Sequence, residues 1–286
     1  MRELAIVGAN GFIGRNINSY LVSKGHTPVL ISHMEGYDYL FASEDDIEFL
    51  VTSLPKSARY VLICTGYSNI DGCLRNPEKA ERLNFQLPLR IAQSCWRSGR
   101  TPILISSDLV FGHGEGPRRE EEEVAPTSRY GYWKARAEES FLGAAGPAIV
   151  VRLTKVYSHQ QGDTSPIINW IDAWKQGTTV RCVTDQMLQP THVSDIGRVL
   201  EKLMGCKAEG LWHVAGDEMD SRYGMACYIA GLVSASTELI ASCRLEDLGL
   251  IELRPSNTTL DNSKVCQQLG VNFTPLSSFF SVGHSY

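Results

Sequence analysis

Two stretches of the chain carry residue types that can do chemistry together: Ser106-Ser107-Asp108-Leu109-Val110-Phe111-Gly112 and Tyr130-Gly131-Tyr132-Trp133-Lys134. They bring a hydroxyl, a phenol and an ammonium to adjacent elements, which is the set that carbonyl reduction uses. Tyr130 and Lys134 are four residues apart, so on a helix they share a face. An ammonium there is expected to hold the phenol below its usual pKa of about 10, letting it give or take a proton near neutral pH. Spacing alone does not identify such a pair in a chain with 11 tyrosines. Tyr20 and Lys24 repeat it in the first expected helix, with no serine-bearing strand before them. The strand ending at Ser106 and Ser107 is what distinguishes Tyr130.

A second constellation stands at the N-terminus. Leu4-Ala5-Ile6-Val7 is an apolar run that ends in Gly8-Ala9-Asn10-Gly11-Phe12-Ile13-Gly14, with an amphipathic pattern behind it. In a strand–turn–helix, the first glycine permits the tight turn, the second lets backbone approach a pyrophosphate, and the third lets helix and strand pack closely. The helix N-terminus then faces the phosphates. Cofactor choice is set near the end of the second strand, where a carboxylate would bind the ribose 2′-hydroxyl of NAD. Here the chain reads Ser32-His33, with no carboxylate to repel a 2′-phosphate and no arginine to clamp one, so NADP(H) is favoured over NAD(H).

These residues need elements to position them. Strands are expected at Pro28–Ser32 and Tyr60–Thr65. Between them a helix runs through Leu54, opened by Ser43 with Asp46 three residues later as a capping box. Helix from Asn76-Pro77 to Arg97, strand Pro102–Ser106, helix Tyr130–Leu142 and strand Ala148–Leu153 continue the alternation. This predicts an α/β fold, a Rossmann-type doubly wound parallel sheet over residues 1–154. Beyond residue 155 the pattern loosens: helix Ile167–Lys175, strand Thr179–Val183, helix Ser194–Met204, strand Leu211–Ala215, and helices from Arg222 and from Asn262. Residues 155–286 are expected to form mainly a smaller substrate-binding cap, with segments near 179–204 returning to the first domain. Arg118-Arg119-Glu120-Glu121-Glu122-Glu123 is the one charge run and is expected to be a solvated loop. Asp195 and Asp261 precede or open helices and are read as caps.

Bulk properties narrow the function classes. With 286 residues, 43% hydrophobic and 21% charged, the chain can bury a proper core. A net charge of −5 without a long Lys/Arg cluster gives no footprint for nucleic acid or an anionic membrane. There is no signal-peptide pattern and no apolar run near 18 residues, so a cytoplasmic protein is expected. Eight scattered cysteines without C-x-x-C spacing are read as reduced thiols, and no metal is expected.

The order and spacing of these pieces resemble an extended short-chain dehydrogenase/reductase of the dTDP-4-dehydrorhamnose reductase group. The glycine turn, Gly66-Tyr67-Ser68-Asn69-Ile70-Asp71, Ser106 to Gly112, and Tyr130-Gly131 with Lys134 and Glu138 carry the likeness. Arg152 with Val156-Tyr157, Asp185-Gln186, Pro190-Thr191, Gly210 to Gly216, Arg254-Pro255-Ser256-Asn257, Leu260-Asp261 and Ser263-Lys264 extend it over nearly the whole chain. The resemblance implies Tyr130 as proton donor to the substrate carbonyl, Ser107 as hydrogen-bond donor to the same oxygen, and Lys134 on the nicotinamide ribose. It implies further cofactor contacts from Cys64, Thr65 and Gly66, and a nucleotide-sugar substrate met by Asp108, Lys155, Gln186 and Arg254. Leu109 stands where the group usually has an aromatic, and Lys155 where it often has tryptophan, which leaves two readings of Lys155: contact with a sugar nucleotide other than the rhamnose precursor, or a solvent-facing lysine. Arg15-Asn16 replaces the acidic residue that some members use in a magnesium-linked dimer, although a homodimer stays open. The chain also resembles the regulatory beta subunit of methionine adenosyltransferase, particularly at Pro190-Thr191-His192-Val193 and Arg222-Tyr223-Gly224-Met225-Ala226-Cys227, which leaves a non-catalytic NADP-binding subunit as the alternative.

Overall fold

Seven short apolar strands form one parallel sheet in the computed structural model, which describes residues 3–40, 43, 46–158, 163 and 165–280. The strands are β1 (Leu4–Val7), β2 (Val29–Ser32), β3 (Tyr39–Leu40), β4 (Tyr60–Ile63), β5 (Thr101–Ser107), β6 (Ile149–Leu153) and β11 (Gly210–Val214), in the spatial order β11-β6-β5-β4-β1-β2-β3. Side chains alternate between faces. Leu4 and Ile6 join Leu62, Ile105 and Val151 in one core, while Ala5 and Val7 join Val61, Leu104 and Val150 in the other. Burial on both faces is why these strands read as unbroken apolar runs.

The faces are covered by helices. α1 (Phe12–Ser23), α8 (Val193–Gly205) and α10 (Ser263–Leu269) contribute to the first core; α2 (Ile47–Ser53), α5 (Leu87–Arg97) and α6 (Arg129–Leu142) contribute to the second. α3 (Ile70–Arg75) and α4 (Pro77–Glu81) lead into α5 through a π-helical turn at Arg82–Gln86, which interrupts the single helix expected from residue 76 to 97. The Asp46 carboxylate accepts from the Ser43 N–H, so half of the expected capping box is present.

The cap has its own core, built from α7 (Pro166–Lys175), α9 (Arg222–Leu232), β8 (Val180–Val183) and β13 (Ile240–Cys243). β7 (Lys155–Tyr157) pairs in parallel with β10 (Pro190–His192), and β9 (Met187–Leu188) pairs antiparallel with β12 (Asp220–Ser221). Of the 179–204 segment, β8 does not return to the main sheet. It pairs with β13, 57 residues further on at its nearest edge in number (Val183 to Ile240), whereas α8 packs on α1 and β11 extends the sheet beside β6. The charge run is not a free loop: Arg118 pairs with Glu122, and Glu120 accepts from the His213 N–H. Asp195 is no cap, because His192 caps α8 and the Asp195 carboxylate instead takes Arg198 and the Thr274 N–H and hydroxyl. All eight cysteines are free thiols. Among the described residues no helix is long and apolar enough to cross a membrane.

Strand order reverses direction between β1 and β4, and open parallel sheets bind ligands at the carboxyl ends of the strands flanking such a point. Gly8, with φ +83°, turns the chain there, and a Cβ on Gly14 would lie 2.4 Å from the Gly8 carbonyl oxygen and 3.0 Å from Ala9 Cα. Backbone leaves no room for it. Gly14→Ala is therefore expected to cost roughly 1–3 kcal/mol in urea unfolding and to weaken dinucleotide binding.

Candidate active site

β5 ends on Ser107, and a short 3₁₀ turn over Asp108–Val110 follows. Ser128 caps α6 by accepting from the Gly131 N–H at 3.1 Å, which starts the helix one residue before Tyr130. Gly131 then lies against the 3₁₀ turn so closely that a Cβ would stand 2.0 Å from the Leu109 carbonyl oxygen. That contact sets Tyr130 beside Ser107 on the cavity wall, where the Ser107 hydroxyl favours the ionised phenol.

Tyr130, Ser107 and Asp108 line one wall of a cavity of about 520 Å³. Phe12 and Ile13, at the N-terminus of α1, line it as well. The Ser107 hydroxyl donates to Asp108 Oδ1 at 2.9 Å, and Thr258 donates to Asp108 Oδ2 at 2.5 Å. Burial raises the Asp108 pKa.

Lys134 lies beneath this wall. Its Nζ donates to the Ile105 carbonyl at 2.9 Å and sits 6.0 Å from the Tyr130 ring centre. Burial pulls the ammonium down to about 8, against the opposing effect of Glu138 one turn on. The expected depression of the Tyr130 pKa is overturned. Burial, and then the Asp108 charge, push the phenol above its ordinary value, and the Ser107 hydrogen bond only partly offsets them. Tyr130 thus holds its proton at neutral pH.

Behind the wall, Glu138 on α6 and Arg152 on β6 form a buried ion pair with a closest approach of 2.7 Å. The Ser106 hydroxyl also donates to Glu138. Arg152 Nη1 lies 3.2 Å from His213 Nε2 on β11. A guanidinium only donates, so that nitrogen is the acceptor and the imidazole is neutral; burial and Arg152 hold its pKa down at about 3.

The other expected site residues divide into three groups. The glycine turn and its neighbours come together at the β1–β4 reversal: Gly8 and Ala9 donate to the Ile31 carbonyl, and a Cβ on Gly8 would stand 3.1 Å from the Thr65 nitrogen and 3.2 Å from the Cys64 carbonyl carbon. Gly11 caps α1 without a side-chain hydrogen bond. Asn10 reaches Met34 Sδ at 3.5 Å, the Ser32 hydroxyl accepts from the Met34 N–H, and His33 is exposed. Burial holds the Cys64 thiol up at about 12, and the buried Thr65 hydroxyl has no hydrogen-bond partner. Gly66 faces Lys134, whose Nζ would be 3.7 Å from a Cβ there. A cradle that side chains would fill, next to an orphaned hydroxyl, fits a dinucleotide.

Lys155, Gln186 and Arg254 all line the cavity, but not alike. Gln186 donates to the Pro255 carbonyl, and Arg254 is occupied by Asp71 at 2.7 Å and by the Glu252 carbonyl. Both brace the cap. Sequence reasoning assigned no site role to Asn84, Arg222 or Thr258. Asn84, in the π-helical turn, accepts from the Tyr67 N–H and donates to the Tyr67 carbonyl, fastening the loop after β4. Helix irregularities of this kind often accompany functional sites, but nothing in the spacing marks this one.

The family model described as RmlD substrate binding domain matches residues 1–278. The probable low-salt glycan biosynthesis reductase Agl14 of Haloferax volcanii is 30% identical over 93% of this chain and 91% of its own. The dTDP-4-dehydrorhamnose reductase of Mycolicibacterium smegmatis is 28% identical over 96% of this chain and 82% of its own. Methionine adenosyltransferase 2 subunit beta of Mus musculus also matches, at 26% identity over 94% of this chain and 83% of its own. Among solved structures, a Bacillus anthracis dTDP-4-dehydrorhamnose reductase in complex with NADP shares the fold, with a TM-score of 0.84, 19% identity and 97% coverage of both chains.

Two outcomes follow from the buried charges. Glu138→Gln strands the Arg152 cation and is expected to cost roughly 3 kcal/mol in urea unfolding. Lys134 binds its proton in the fold only below about 8, whereas an unfolded lysine keeps it to about 10.4. Between those values the unfolded chain holds the extra proton, so raising pH stabilises the fold. The stability of the wild type relative to Lys134→Met should therefore rise from pH 8 to pH 10. A flat difference would contradict the assignment.

Proposed function

The chain belongs to the RmlD substrate binding domain family, and from that membership we propose that it reduces the keto group of a nucleotide-linked 4-keto-6-deoxy sugar with NAD(P)H. The observation that carries this reading is a protonated Tyr130 phenol beside Ser107 at the wall of a cavity that also reaches the residues behind the glycine turn.

Bound NAD(P)H supplies the hydride. As it adds, the carbonyl oxygen becomes an alkoxide, and the chain must stabilise and protonate that oxygen. Tyr130 gives the proton: the phenol is protonated at neutral pH, and an alkoxide is more basic than a phenolate, so the transfer runs toward the substrate. Ser107 has one hydroxyl proton; it rests on Asp108 Oδ1 and would turn to the same substrate oxygen, leaving Thr258 on the carboxylate. Lys134 is assigned to the nicotinamide ribose, beside Gly66. Gly8, Gly11, Phe12, Ile13 and Gly14 would take the pyrophosphate at the N-terminus of α1, with Asn10, Ser32 and His33 toward the adenosine ribose and Cys64 and Thr65 flanking the β1–β4 crevice. The absence of a carboxylate at Ser32-His33 favours NADPH over NADH.

The match to methionine adenosyltransferase 2 subunit beta supports a second reading, an NADP-binding regulatory subunit without sugar turnover. Oxidation of NADPH and NADH against dTDP-, UDP-, GDP- and CDP-linked 4-keto-6-deoxy sugars separates the two. The reductase should turn over at least one, and Tyr130→Phe should lower kcat by about 10²-fold or more with little change in cofactor Kd. Tight cofactor binding without turnover across the panel would favour the regulatory subunit.

A further inference from the structure

Lys155 and Arg222 enter the cavity from different elements, Lys155 from β7 just past the end of β6 and Arg222 from the first turn of α9. Neither makes an ion pair or a side-chain hydrogen bond among the described residues, and Arg222 Nε is buried without a partner. The nearby carboxylates are already engaged. Asp108 accepts from Ser107 and Thr258, and Asp163 accepts from the Ser158 and Ser165 N–H groups at 2.6 and 2.7 Å. Arg254, the third cation on the wall, is spent on Asp71.

Two like charges facing one cavity repel each other; the Asp108 charge attracts both and the Asp163 charge attracts Lys155, but neither carboxylate pairs with these cations. Both have lowered pKa values, from burial first and then, for Lys155, from Arg222 itself. Water reaches Lys155 through the open mouth, but protein surrounds it on most other sides. We propose that Lys155 and Arg222 form an oxyanion-recognition pair for the substrate, taking either a phosphoryl group of the nucleoside diphosphate or a carboxylate on the sugar. The pair lies close to the reacting centre, since Leu153 is in register with Ser107 across β5–β6, and Lys155 is two residues beyond it. Its place toward the sugar depends on the reductase reading of the same cavity, but its affinity for an oxyanion can be measured without turnover.

Calorimetric titration of the NADP-loaded protein with UDP, UDP-glucose and UDP-glucuronic acid tests this, using Lys155→Met and Arg222→Met, with Lys155→Arg as the charge-retaining control. If the pair takes the diphosphate, both Met variants should lose about tenfold or more in affinity for all three probes, or about 1.4 kcal/mol. If it takes a sugar carboxylate, the wild type should prefer UDP-glucuronic acid to UDP-glucose, and the Met variants should erase that preference while UDP binding stays unchanged. Either result supports the pair, and Lys155→Arg should retain wild-type affinity. Kd values within about twofold of wild type for every probe in both Met variants, or no binding of any probe by the wild type, would overturn it. Failure of the reductase reading looks different: charge-dependent binding would persist, with no oxidation of NADPH by any keto sugar.

Discussion

The buried Glu138–Arg152 ion pair constrains where Tyr130, Ser107 and Lys134 stand. It fastens α6 to β6, and through Ser106 and His213 it reaches the strands on either side. Glu138 is one helical turn beyond Lys134, which is one turn beyond Tyr130, so fixing one residue fixes the rotation of the whole face. Gly131 fixes the depth, by letting the helix rest on the Leu109 carbonyl. A buried pair of this kind is a weak source of net stability, because desolvation offsets much of the attraction. Its consequence here is positional: phenol and hydroxyl meet at the cavity wall, with the ammonium beneath it.

The same low-dielectric setting decides the protonation states. Burial disfavours charge on either kind of group, so it pushes the Tyr130 phenol up and the Lys134 ammonium down. In water the two would differ little; here the shifts run in opposite directions, and the phenol keeps its proton. Asp108 adds to that effect while accepting the Ser107 hydroxyl. Lys155 and Arg222 add positive charge to the same cavity, attracted by Asp108 but paired with no carboxylate among the described residues.

Much of this was legible in the sequence. The strand–glycine turn–helix at residues 4–23 was readable because a buried parallel strand and a glycine-spaced turn each leave a local mark. The placement of Ser107 at a strand end and of Tyr130 and Lys134 on one helix was readable because strand end and helix spacing are local too. What failed was non-local. The Tyr130 pKa depends on enclosure and on Asp108, not on the lysine four residues away. β8 pairs with β13, and such short strands carry no signal for a distant partner. Arg222 and Thr258 reach the cavity from positions far along the chain, and the charge run docks because Glu120 meets the His213 N–H 93 residues away.

The most direct measurement is isotope transfer. The protein would be mixed with NADPH deuterated at C4, in separate pro-R and pro-S samples, and a nucleotide-linked 4-keto-6-deoxy sugar, and the sugar product analysed by mass spectrometry and NMR. The account predicts deuterium at the former keto carbon from one of the two labelled cofactors, and almost none with Tyr130→Phe over the same interval. Cofactor bound tightly in both proteins, with no deuterium in any sugar, would contradict it.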